Sequence, residues 1–132
     1  MSTTVIDLLD ALRTHLSDFE LPPLGSVHFS TCTGVPQVSL QLATHNLPEI
    51  ATGLLAWADT LTEITAEAWR VPRGDSVHLS VIGRLPEGIQ VQVYGGMPFS
   101  PKGIGADLAR GAKATVSWAV LRERATPGEV IA

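Results

Sequence analysis

Ser26-Val27-His28-Phe29-Ser30 and, fifty residues on, Ser76-Val77-His78-Leu79-Ser80 are the segments whose reading decides the fold. In each, apolar and polar residues alternate with the period of two that a strand shows when one face is buried and the other is wet. Each opens a hairpin. After the turn Thr33-Gly34-Val35-Pro36, Val38, Leu40 and Leu42 alternate with Gln37, Ser39 and Gln41. After Leu85-Pro86-Glu87-Gly88, Ile89, Val91 and Val93 alternate with Gln90, Gln92 and Tyr94.

Outward from these hairpins the period changes. Val5, Leu8, Leu9, Leu12, Leu16 and Phe19 recur at helical spacing opposite Asp7, Asp10, Arg13 and Asp18. Thr4 is a suitable N-cap with Asp7 in the first turn, and Pro22-Pro23 blocks continuation, so a helix is expected over about 4–18. Asn46 caps a second helix over about 47–60, with Pro48 in its first turn, Glu49 at the reciprocal capping position, and Leu47, Ile50, Leu54, Trp57 and Leu61 as its apolar stripe. Thr62 to Val71 reads as a further extended stretch that turns at Pro72-Arg73-Gly74-Asp75. It forms an antiparallel meander with Ser76 to Leu85 and the strand after Gly88, and Gly95-Gly96 is expected to break that meander. Ser100-Pro101 offers the start of a last helix over about 101–124, although Gly103, Gly105 and Gly111 would each cost about 1 kcal/mol inside it. Ala114 to Leu121 reads alternatively as a strand.

The fold class that follows is α+β: a single antiparallel sheet of about five strands with helices on one face, in the order α-β-β-α-β-β-β-α. Residues 1–99 form the core, and residues 100–132 add a C-terminal helix and short tail to the same single domain. The echo between the hairpins has two explanations, an internal α-β-β duplication or the common pattern of strands buried on one side.

Composition narrows the function. Among 132 residues Cys32 is the single cysteine, which excludes an intramolecular disulfide framework and fits a reducing compartment. No apolar run approaches the roughly 20 residues of a membrane-spanning helix, and Met1 to Glu20 lacks the features of a secretion signal. A cytoplasmic location without integral membrane association is therefore expected. The formal charge of −4 argues against a duplex nucleic-acid binder. That charge is unevenly placed: residues 1–99 hold ten acids and four bases, residues 100–132 three acids and five bases. Seven arginines to two lysines and a lone asparagine suggest a GC-rich, bacterial coding sequence.

Candidate chemistry is sparse. If the apolar strand positions face the helices, the opposite face carries His28, Ser30, Cys32, Gln37, Ser39, Gln41, His78, Ser80, Gln90, Gln92 and Tyr94. Such a surface is polar yet nearly uncharged, and hence inexpensive to desolvate against a partner. His28 and Cys32 lie about 13 Å apart on one strand, too far to share a metal ion. Nothing near Cys32 other than His28 would activate a thiolate. Glu63 and Glu67 are too widely spaced on a strand to work as paired acids and read as solvated. The glycine-rich run from Gly95 to Gly105 matches neither phosphate-binding pattern and reads as a connector. Lys102, Arg110, Lys113, Trp118, Arg122 and Arg124 would form a basic amphipathic docking helix.

In element order alone the chain resembles the compact dimeric chaperones of bacterial secretion systems, a resemblance that implies a dimeric α+β fold and assigns no residue. The reading supported is a non-catalytic protein-interaction, regulatory or accessory module, a homodimer or the partner of another protein, with no catalytic residue, metal or cofactor. One alternative is a small-molecule-binding or enzymatic domain anchored by His28, His78 and Tyr94. Another is contact with nucleic acid or an anionic surface through the basic last helix.

Overall fold

The computed structural model describes residues 3–31 and 35–125, so Cys32 and the Thr33-Gly34 part of the first turn lie outside the described residues. In chain order the elements are α1 (Val5–Asp18), β1 (Leu24–Ser30), β2 (Gln37–Leu42), α2 (Leu47–Ala58), β3 (Thr62–Arg70), β4 (Ser76–Arg84), β5 (Gln90–Pro98), β6 (Lys113–Thr115) and α3 (Trp118–Arg124). The α+β class and the expected element order hold. The sheet differs in two respects: it has six strands, in the order β1-β2-β5-β4-β3-β6, and it is mixed. β2 and β5, the second and third strands across, run parallel, because the connection between them passes over the sheet through α2 before β3, β4 and β5 return as a meander.

That parallel pair bears on the internal echo. β1 and β2 form one hairpin, β4 and β5 the other, and both direct their apolar residues to the same face: Val27 pairs with Leu40, Leu40 with Val93, and Val93 with Val81. Across the sheet the hairpins run outer, inner, inner, outer. They are mirror images with respect to the buried face, and no rotation superposes them while keeping that face buried. Two copies of one chiral α-β-β unit would not pack this way intact, so the repeated pattern is explained by the shared chemistry of half-buried strands.

Local signals set the helix ends. At α1 the Thr4 hydroxyl accepts from the Asp7 N–H at 3.2 Å while the Asp7 carboxylate accepts from the Thr4 N–H at 2.9 Å. Those bonds favour the charged form and hold the Asp7 carboxyl below its ordinary value. At α2 the Asn46 side chain accepts from the Glu49 N–H at 2.9 Å.

The core lies between one face of the sheet and the helices, with Val38, Leu40, Leu42, Val77, Leu79, Val81, Val91 and Val93 meeting Leu8, Leu12, Ile50, Leu54, Trp57 and Leu121. Gly95-Gly96, expected to end the meander, lies inside β5, which continues to Pro98. The glycines serve close approach instead: a Cβ on Gly95 would lie 2.8 Å from Ile50 Cγ1, and one on Gly96 3.3 Å from the His78 ring.

The expected helix over 101–124 is not formed. Residues 100–112 make successive turns, in which Gly105 and Gly111 take left-handed φ values of 81° and 78° that an α-helix cannot continue through. Arg70 holds this connector in place. Its guanidinium donates to the Gly74 and Leu108 carbonyls at 3.1 and 2.9 Å and lies 3.7 Å above the Phe99 ring. Lys113 to Thr115 then add a short strand to β3, the beginning of the strand alternative for 114–121, and only Trp118–Arg124 are helical.

His15 joins the core unannounced by the apolar stripe. It is buried, stacks on Trp57 with centroids 5.6 Å apart, and its Nε2 lies 2.8 Å from Thr60 Oγ1. The Thr60 hydroxyl gives its own proton to the Trp57 carbonyl at 2.8 Å, so His15 must be the donor and its neutral form carries the proton on Nε2. Burial pushes its pKa below the ordinary 6.5, against the opposing pull of Glu87 and Asp18. Above 6.5 both folded and unfolded chains hold the ring neutral, and stability is full. As pH falls below 6.5 the unfolded chain takes up the proton first, and stability declines until the folded ring also protonates. Urea unfolding should therefore show a lower midpoint at pH 5.5 than at 7.5, with a smaller difference in His15→Phe; equal pH sensitivity in the two proteins would exclude His15 as the source.

Candidate functional site on the open face of the sheet

The face away from the helices is assembled by register. β3 places Trp69 beside His78 and Glu67 beside Ser80. β4 places Ser80 beside Tyr94, His78 beside Gly96 and Ile82 beside Gln92. Next come Gln41 beside Tyr94, Ser39 beside Gln92 and Gln37 beside Gln90 on β2, then His28 beside Ser39 and Ser30 beside Gln37 on β1. Beyond β3, Lys113 stands opposite Trp69 and Thr115 opposite Glu67. The residues expected on the polar face, His28, Ser30, Ser39, Gln41, His78, Ser80, Gln90, Gln92 and Tyr94, therefore do share it.

They do not converge on one point. His28 and His78 lie on β1 and β4 with β2 and β5 between, and His28 is level with Ile82, four residues along β4 from His78. At ~4.8 Å per strand and ~3.3 Å per residue the separation is about 19 Å, so the pair cannot act on one ligand atom. The convergence lies toward the other edge. Ser80 is small and buried, and taller side chains stand around it: Glu67, Trp69, His78, Gln92, Tyr94 and Lys113 enclose a concavity of about 530 Å³. His78 stacks on Tyr94 with centroids 5.4 Å apart and meets Trp69 edge-on at 5.3 Å. Gly96 makes the row of rings continuous, because the position beside His78 carries no side chain to displace its ring. Burial lowers the His78 pKa below 6.5, so the ring is neutral at pH 7.

Gln92 Nε2 donates to Ser80 Oγ at 3.4 Å. No hydrogen bond among the described residues joins Ser80 to His78, so the pairing of nucleophile with base is not assembled. Glu67, expected to be solvated, is three-quarters enclosed in the wall, with Lys113 Nζ at 3.8 Å. Among the described residues no three of His, Cys, Asp and Glu come together as metal ligands. Trp69 and Glu67 escape the sequence reading as members of a site, and Lys113 is assigned by it to the last helix instead, because strand alternation alone does not say which strands are neighbours. The signal present was that Glu67, Trp69, His78, Ser80, Gln92 and Tyr94 all occupy the outward phase of their strands.

The basic residues at the end of the chain do not form one helix face. Lys113 belongs to β6, the Arg110 side chain packs under Gly74, and Lys102 and Arg124 line a recess with His45 and Met97. Trp118, Arg122 and Arg124 alone are in α3. A smaller recess of about 310 Å³ between Pro22-Pro23 and α2 is mostly apolar; of its polar members, Thr44 donates to Glu49 at 2.9 Å and Thr52 to the Pro48 carbonyl at 2.8 Å.

The sheet's two edges differ. β6 is three residues long and carries Lys113, two features that discourage further pairing. β1 has seven residues, none of them Asp, Glu, Lys, Arg or Pro, and its register irregularity lies between Leu24 and Ser26, leaving Ser26 to Ser30 regular. Its neighbour α1 buries Leu8, Ala11, Leu12 and His15, while Val5, Leu9, Leu16 and Phe19 of the expected apolar stripe stay exposed, as does Ile6 at 68%. Val27, on the helix side of β1, is 42% exposed. Among the described residues no helix is long and apolar enough to cross a membrane. Comparison with known proteins yields no match for this chain among family models, curated proteins or solved structures.

Proposed function

We propose that the protein is a non-catalytic interaction module that works as a homodimer, joined by antiparallel pairing of β1 with β1 of a second copy. The observation that carries this reading is the unprotected β1 edge, lying beside the exposed apolar flank of α1. A twofold axis through an antiparallel edge makes the strand complementary to itself, so one sequence supplies both sides of the interface. Pairing would satisfy the free backbone groups of β1, cover Val27, and bring the α1 flanks of the two copies together. Both polar faces would remain open on one continuous sheet, available to a further protein partner.

Sedimentation equilibrium tests the reading. The wild-type chain should be a dimer at tens of micromolar. Val27→Lys, which places two like charges about the axis, should weaken association by about a hundredfold without unfolding the monomer. A wild-type monomer at that concentration would refute the homodimer, and undiminished association of Val27→Lys would remove β1 as its interface.

A further inference from the structure

The trough over Ser80 is independent of the β1 edge and has a chemistry of its own. Its walls are the rings of Trp69, His78 and Tyr94, and its one acid, Glu67, is 26% exposed. Among the described residues that carboxylate has a single partner, the Lys113 ammonium at 3.8 Å, which is beyond hydrogen-bonding distance. A carboxylate drawn out of water by neighbouring side chains, with no donor at bonding distance, favours a cation that can approach more closely. Aromatic rings add to this, because their faces carry negative charge density and attract organic cations. The neutral imidazole of His78 contributes no opposing positive charge.

We propose that this trough binds a small organic ammonium compound, its cationic head set between Glu67 and the rings of Trp69 and Tyr94. Lys113 shows the kind of group the trough accepts. It is the direct neighbour of Trp69 across the β3–β6 ladder and directs its own ammonium toward Glu67. Lys113 is also easily displaced: it is 60% exposed, belongs to a three-residue edge strand, and makes an ion pair too long and too wet to hold it firmly. The side chain thus acts as a tethered, weak competitor that a better-fitting ammonium replaces.

Choline is a suitable probe, with 3,3-dimethylbutan-1-ol as the uncharged compound of the same shape. The readout is the indole N–H resonance of Trp69 in a nitrogen-15 spectrum, assigned by Trp69→Phe. Choline should move it saturably, and the uncharged compound should bind about tenfold more weakly. Glu67→Gln should weaken choline by a similar factor. Lys113→Ala should strengthen it severalfold, a gain that a misfolded variant could not produce. Equal binding of the two compounds would overturn the proposal, as would a choline titration of Lys113→Ala that does not saturate. Neither result depends on whether the chain dimerises, since Trp69 and β1 lie on well-separated strands.

Discussion

Trp57→Ala should lower the unfolding free energy by about 3–5 kcal/mol, whereas Trp57→Phe should change it by no more than about 1 kcal/mol. Trp57 is fully buried on α2, stacked against His15 and packed with Leu8, Leu54 and the central strands. Removing the indole opens a large cavity between helices and sheet, and the rigid packing around it can close only in part. A phenylalanine ring keeps most of the volume. It also loses little in polar terms, because the indole N–H has no hydrogen-bond partner among the described residues. A buried donor without a partner costs about 1–3 kcal/mol, which its removal returns against the small void left behind. The local hydrogen bonds to this residue are made by its backbone carbonyl, which accepts from the Thr60 N–H at 2.9 Å and the Thr60 hydroxyl at 2.8 Å, so both substitutions leave them in place. Urea unfolding followed by far-ultraviolet circular dichroism distinguishes the two variants. A Trp57→Phe loss of about 2 kcal/mol or more would mean that the indole N–H has a partner. Since domains of this size are stable by about 5–15 kcal/mol, the alanine variant should be close to unfolding near 37 °C.

Gly95→Val should cost about 3 kcal/mol, through overpacking rather than through a cavity. A Cβ at this position would lie 2.8, 2.9 and 3.1 Å from three carbons of Ile50, and both residues are buried where α2 crosses β5. Valine adds two further carbons to that contact, so either the Ile50 side chain leaves its preferred rotamer or the helix lifts from the sheet. The assignment can be checked by a double-mutant cycle. Gly95→Ala and Ile50→Ala should each destabilise, and the double variant should lose about 1–2 kcal/mol less than the sum, because the added methyl fills part of the space vacated by isoleucine. Strict additivity would show that the two side chains do not compete for one volume. Gly96→Ala faces the open side of the sheet and meets only the His78 ring at 3.3 Å, so it should cost less than Gly95→Ala.

Tertiary contacts override local propensity at three places in the chain. Gly95-Gly96 looks like a strand breaker because glycine lowers strand propensity, but the tertiary contact with Ile50 requires a residue without Cβ there. The run after Ser100 looks like a helix because Ser100-Pro101 has the chemistry of a helix start, while the left-handed glycines and the clamp of Arg70 on the Leu108 carbonyl impose turns. His15 falls at the right spacing for the buried side of α1 and was passed over because histidine is polar. Its bond to Thr60 depends on a residue 45 positions away.

What the sequence determined by itself is the order of elements from α1 to β5 and the buried side of the strands among them. Capping at Thr4 and Asn46, proline stops and the alternation of strands such as Val77-His78-Leu79-Ser80 act over a few residues, so they can be read without knowing the fold. They already placed the polar residues of β1, β2, β4 and β5 on a common face. The tertiary structure decided which strands are neighbours, and with that the parallel β2–β5 pair, the bare β1 edge and the trough. Glu67 and Trp69 come from β3, His78 and Ser80 from β4, Gln92 and Tyr94 from β5, and Lys113 from β6. Their proximity follows from strand pairing over long chain separations, which is selected by the combined burial of the whole apolar face rather than by any local signal.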